Sequence, residues 1–126
     1  MPSIPFDKDS SLAAFRRGEE TGFNHFFKLH YTALCHFSWQ FTRNREASEE
    51  LVNDVYIKLW ERHEKFLDPL AIRSFLYIAT RYASLNWIRS QKREQLAMEQ
   101  IAYLTDPTEK DVQEKMIRAE TYASLH

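Results

Sequence analysis

Little in this sequence can break a helix. Its 126 residues include two glycines (Gly18 and Gly22) and four prolines, and these are expected to fall outside the long periodic stretches. So few turn formers exclude a fold of many short strands, and an all-helical chain is expected. Cysteine is scarcer still: Cys35 alone cannot close an internal disulfide, which fits a reducing, cytoplasmic setting. No apolar run approaches membrane-spanning length, and the amino terminus MPSIPFDKDSS lacks an apolar signal core, so no membrane insertion is expected. A formal net charge of -1 excludes an indiscriminate polyanion binder, so any nucleic-acid role must rest on local patches. The usual signs of catalysis are missing as well. There is no nucleophile–base pair at useful spacing, no glycine loop to cradle phosphate, and no paired carboxylates across a plausible cleft, so the chain does not read as an enzyme. His30 and His36 stand six apart and cannot share a face as an i, i+4 ligand pair would, so neither metal nor cofactor is expected.

What the chain has in quantity is aromatic residues, with nine phenylalanines. After a lead-in holding Pro2 and Pro5, a short helix is expected from Asp9 or Ser10, with Leu12 and Phe15 inward and Gly18 as its stop. Thr21 to Arg43 reads as a long helix. Its core stripe is Phe23, Phe27, Tyr31, Leu34, Phe37 and Phe41, flanked by Phe26 and His30. A third segment, Arg45 to Lys65, buries Val52, Val55, Tyr56, Leu59, Trp60 and His63. Its other side begins acidic, with Glu46, Glu49, Glu50 and Asp54 around Asn53. Simple helix-dipole electrostatics would explain those acids. Leu51 and Ile57 lie beyond the tidy inner stripe, however, and point instead to a half-acidic, half-apolar partner surface.

Phe66, Leu67 and Asp68 link this helix to the next, which Asp68 can cap and Pro69 can begin. Ile72, Phe75, Leu76, Ala79, Ala83 and Trp87 give that helix an apolar face. Between Pro69 and Arg93 every charge is positive: Arg73, Arg81, Arg89, Lys92 and Arg93. Tyr77, Tyr82, Asn86 and Trp87 are interleaved with them. Cations for phosphate beside aromatics for unpaired bases are what a single-strand reader uses. A core helix with a solvated basic side would have the same composition. The helical pattern continues from Glu94 to Leu104, and Asp106-Pro107 then breaks it. Thr108 to His126 carries a narrow stripe of Val112, Met116, Ala119, Tyr122 and Leu125, and reads as a helix without a partner.

Three of these segments, in this order, resemble region two of bacterial RNA polymerase sigma factors of the extracytoplasmic-function group, within the sigma-70 family. The resemblance rests on FNHFFKLHYTALCHFSWQFTRN, ASEELVNDVYIKLWERHEKF and SFLYIATRYASLNWIRSQKRE. It implies a compact all-α bundle of three main helices, with a short N-terminal helix and a C-terminal linker helix. The implied division is a tail over 1–9, the region-two domain over 10–95, and a linker over 96–126. That linker leads into a region four the chain does not contain, as in a domain trimmed from a longer protein.

The resemblance also implies roles. Glu50, Leu51, Asn53, Asp54, Ile57 and Lys58 would dock on the clamp helices of the largest subunit of core RNA polymerase. The loop from Phe66 through Ala71, with Leu67 and Asp68, would form a pocket for a base turned out of the stack. Arg81, Tyr82, Asn86 and Arg89 would read the non-template strand of the promoter minus-ten element. Arg73, Lys92 and Arg93 would hold phosphates and set register. Promoter melting, DNA-templated transcription initiation and control by an anti-sigma factor follow as expectations for the family. At Tyr82 many members carry asparagine, so the base read there is left open. The alternative is a helical protein–protein module of a transcription regulator that never touches DNA.

Overall fold

The computed structural model describes residues 8–95 and 107–126, and those residues fold into five α-helices and one short 3-10 turn. They are α1 (Lys8–Arg16), α2 (Glu20–Thr42), α3 (Arg45–Glu61), the turn His63–Lys65, α4 (Pro69–Gln95) and α5 (Glu109–Leu125). The expected lead-in and the helical continuation past Gln95 fall mainly outside the described residues.

Each helix end has a local cause. Gly18 takes the left-handed conformation (φ 77°) that closes α1. Its amide donates to the Phe15 carbonyl at 3.0 Å, and the Glu19 amide reaches back to Ala14 at 3.0 Å. Gly22 does not lie outside the periodic stretches, as expected from its residue type, but in the first turn of α2. A Cβ there would sit 2.1 Å from the Phe15 amide nitrogen, so only glycine lets α1 cross α2 this closely. Asn44 caps α3 by accepting from the Ala47 amide at 3.0 Å. Asp68 caps α4 as its position suggested, accepting from Ala71 at 2.7 Å. Thr108 and Asp111 form a reciprocal capping box at the start of α5. The helix expected to run unbroken to Lys65 instead ends at Glu61 and passes into the 3-10 turn.

α2 is the hub, and the other four helices all pack against it. That position shifts its core side away from the expected stripe. Phe26, His30, Ala33, Leu34, Phe37 and Ser38 are buried, whereas Phe23, Phe27, Tyr31 and Phe41 are only half-buried. Phe26 and His30 therefore belong to the centre of the buried side and not to its flank. Three polar contacts set the helix spacing. The Tyr56 hydroxyl donates to the Phe26 and Phe27 carbonyls at 3.4 and 3.3 Å, tying α3 to α2. Ser38 and Ser84 meet at 2.7 Å between α2 and α4, where two small side chains allow close approach. Thr42 and Ser48 meet at 2.7 Å across the α2–α3 corner.

The last helix does have a partner. Val112 and Ala119 of α5 are buried in the same core cluster as Leu34 and Phe37, with Met116 and Ala123 packed against it. Gln40 of α2 donates to the Lys115 carbonyl at 2.9 Å, and the His36 and Tyr122 rings stack at 4.1 Å. Only Leu125, at the end of the expected stripe, is left in solvent.

Candidate nucleic-acid and partner interface

Two outward surfaces carry the candidate residues. On α3, Val52, Val55, Tyr56 and Leu59 face the core. At about 100° per residue, Glu50, Asn53, Asp54 and Ile57 therefore group on the opposite side. Glu50, Asn53, Asp54 and Lys58 are exposed, Ile57 is 57% exposed, and Leu51 is half-buried at the edge. Glu46 and Glu61 fall on the same arc and are exposed too, which extends the acidic face over the length of the helix. Glu61 lay outside the sequence reading, although its spacing of four from Ile57 was a usable signal. At the far end, Ile57 borders a depression of about 400 Å³ lined by Gly18, Glu20, Phe23, Trp60 and Glu61. That depression lies between the turn at Gly18, α2 and α3, so spacing along one helix could not reveal it.

On α4 the buried positions are Ile72, Leu76, Tyr77, Thr80 and Ser84. This turns Tyr77 inward. Its ring lies edge-on to Phe37 at 5.0 Å, and burial pushes its phenol well above the ordinary range. Tyr77 is thus a core residue and not a stacking platform. Phe66 is also turned in. It is 9% exposed, with its ring against Phe15 and Phe75 at 6.3 and 5.4 Å, so it anchors the link and offers no ring to a base. The open part of the link is Leu67 and Asp68, since Pro69 to Ala71 already form the first turn of α4. Asp68 spends one carboxylate oxygen on its cap.

The outer side of α4 exposes Leu70, Ser74, Ile78, Tyr82, Asn86 and Arg93. Tyr82 is 54% exposed, and Ile78, Tyr82 and Asn86 lie within an arc of about 80°. Ile78 was missed because it sits off the inner apolar spacing. Arg89 falls within the same arc and Lys92 at its margin, and both are half-exposed.

Arg73 does not share that surface, and Arg81 sits at its border, with its guanidinium 5.4 Å from the Tyr82 ring centre. Nine residues along a helix is half a turn out of phase, so Arg73 projects from the side of α4 away from Tyr82. It makes a two-pronged ion pair with Glu120 of α5, at 3.1 and 2.7 Å. Its guanidinium also lies 5.1 Å from the Tyr77 ring centre. Arg81 pairs with Glu109 at 2.8 Å, and its side chain is only 15% exposed. The Arg81 Nε is buried without a hydrogen-bond partner among the described residues. The cations of α4 therefore divide between an edge covered by α5 and an open outer side.

Burial pushes the Cys35 thiol up to about 11, which leaves it protonated and unreactive at neutral pH. Among the described residues no cluster of His, Cys, Asp or Glu could hold a metal ion. No helix there is long and apolar enough to cross a membrane. Two candidate surfaces lie on adjacent helices, one acidic with an apolar centre, the other aromatic and cationic.

The family model for Sigma-70 region 2 matches residues 26–94. The chain belongs to that family. No curated protein and no solved structure matches it. The Sigma-70 region 2 match runs from within the hub helix to the end of α4, so it takes in both candidate surfaces. The family is one of transcription initiation, whose members act with RNA polymerase and promoter DNA and are not an enzyme class.

Proposed function

We propose that this Sigma-70 region 2 chain anchors to core RNA polymerase through the outer face of α3 and captures the melted non-template strand of the minus-ten element on the outer side of α4. Glu50, Asn53, Asp54 and Ile57 dock on the polymerase clamp helices, with Leu51 and Lys58 at the rim. Leu67, Tyr82 and Asn86 meet bases, while Arg89, Lys92 and Arg93 hold backbone phosphates. The observation that carries this reading is the exposure of Tyr82 and Asn86 together on the side of α4 opposite the core. A ring in solvent beside an amide can take an unpaired base that a duplex would withhold. Each stacked base returns roughly 1 to 3 kcal/mol, enough to bias opening toward the right sequence.

The chain catalyses nothing. Its binding energy shifts the equilibrium between closed and open DNA, and polymerase docking raises its local concentration at the promoter. In this reading it works in the cytoplasm, as a member of the extracytoplasmic-function group restrained by an anti-sigma factor. The segment 10–95 does the recognition.

The test is co-purification with core polymerase followed by run-off transcription. Asn86→Ala is expected to leave polymerase binding intact and to reduce promoter opening. If that substitution leaves transcription unchanged while α3 substitutions still block partner binding, the chain is a protein–protein module that does not touch DNA.

A further inference from the structure

The two arginines on the covered edge of α4 are each held by a carboxylate of α5. Arg73 faces Glu120, and Arg81 faces Glu109. Going up α4 by eight residues goes down α5 by eleven, so α5 lies antiparallel along that edge. The two pairs are its rungs. At 1.5 Å per residue the rungs are roughly 12 Å apart on α4 and 16 Å on α5, a difference that long side chains absorb.

Nothing about the fold of α5 requires these carboxylates. Its attachment to α2 comes from buried Val112 and Ala119, the Gln40–Lys115 hydrogen bond and the Tyr122 stack. Glu109 and Glu120 keep their outer sides in solvent, at 76% and 43% exposure. Pairs whose carboxylate is this open to solvent are screened by salt and hold weakly from that side. A phosphate diester presents the same two-oxygen geometry to a guanidinium as a carboxylate does. Any backbone phosphate reaching Arg73 or Arg81 would meet Glu120 or Glu109 first.

We propose that α5 is an internal competitor for nucleic-acid backbone, its Glu109 and Glu120 standing in for phosphates at Arg81 and Arg73. The proposal rests on the reading of α4 as a single-strand surface and adds to it a closed state. With α5 seated, DNA meets only the outer side with Tyr82, Asn86 and Arg93. With α5 displaced, Arg73 and Arg81 join, and the cationic surface wraps a second side of the helix. The orphaned Arg81 Nε then gains an acceptor that Glu109 does not provide.

The experiment uses the whole 126-residue chain and a fluorescent single-stranded oligonucleotide, with binding read by anisotropy across a salt series. Glu109→Gln with Glu120→Gln is expected to tighten binding roughly threefold to tenfold, because two weak ion pairs no longer compete. The salt dependence should steepen by about one unit of log–log slope, the signature of added phosphate contacts. Adding Arg73→Gln and Arg81→Gln to that variant should cancel the gain. Hydrogen exchange in the parent chain gives a second measure, in which saturating oligonucleotide should speed exchange across 109–125. Unchanged affinity in the double variant, with binding still weakened by Asn86→Ala, overturns the competitor and leaves the α4 reading standing. Unchanged exchange across α5 at saturation likewise overturns it. Failure of every variant to bind the oligonucleotide overturns both.

Discussion

The outer faces of α3 and α4 are built from similar amounts of charge yet are left in different states by the rest of the fold. On α3, Glu50, Asp54 and Lys58 form no ion pair among the described residues, and Ile57 stands open beside a depression. On α4, two arginines are already engaged by α5, while Tyr82 and Asn86 are exposed. On the proposed roles, the α3 face stands open to a partner throughout, whereas part of the α4 surface would first be released from α5. That difference suits a sequence of events in which protein docking precedes strand capture. A face that must find its partner first gains from being uncovered, and a DNA surface gains from being masked until it is delivered.

The strongest way to break this comparison is to reverse the sign of one face. Asp54→Arg is expected to weaken polymerase binding more than 100-fold, since like charge at a contact costs several kcal/mol. Thermal unfolding should be unchanged because Asp54 is solvent-exposed. A pull-down paired with a melting curve checks both halves. Next in size, Gly22→Ala should destabilise the whole bundle by about 3 kcal/mol, because the new Cβ would strike α1 backbone. Denaturant titration should then show both surfaces failing together.

Acid offers a smaller perturbation, directed at the seam under α5. Burial first, and the nearby Arg73 charge second, hold the His30 imidazole down to about 4 from 6.5, with Glu120 pulling the other way. Between those values the unfolded chain binds a proton that the folded one refuses. His30 therefore carries no penalty above about pH 6.5, and stability falls as pH drops through the window toward 4. The loss is on the order of 3 kcal/mol, and His30→Gln should flatten it in unfolding curves taken at stepped pH. The finest test lies on the open side of α4. Tyr82→Ala should lower affinity for a single-stranded oligonucleotide about tenfold, while Tyr82→Phe keeps the ring and should stay near wild type.

Much of the fold could be read from residue order because helix signals are local. Asp68 and Pro69 mark a helix start wherever they occur before an apolar repeat, and Gly18 marks a stop. Most of the inner face of α3 emerged correctly, since Val52, Val55, Tyr56 and Leu59 are buried, but Trp60 is only half-buried and His63 falls in the 3-10 turn beyond the helix, also half-buried. α2 did not yield so simply. A helix surrounded by four others buries several sides, and its aromatic periodicity no longer singles out one. The same reasoning explains Tyr77, whose place beside Arg73 and Arg81 in sequence suggested DNA while its neighbour Phe37 holds it inside. For the candidate surfaces, composition identified which helices carry them. Which cations are available was invisible, because Glu109 and Glu120 lie 28 and 47 residues from the arginines they engage.

By itself the order of residues determined that this chain is helical, where most helices begin and end, and which two carry acid or base. These follow from interactions spanning four or five residues, each complete within its own segment. Only the tertiary structure decided that α2 is the hub, that Phe66 and Tyr77 face inward, and that α5 lies along Arg73 and Arg81. Those outcomes depend on how helices pack around a shared core, where a side chain's fate is set by neighbours remote in sequence.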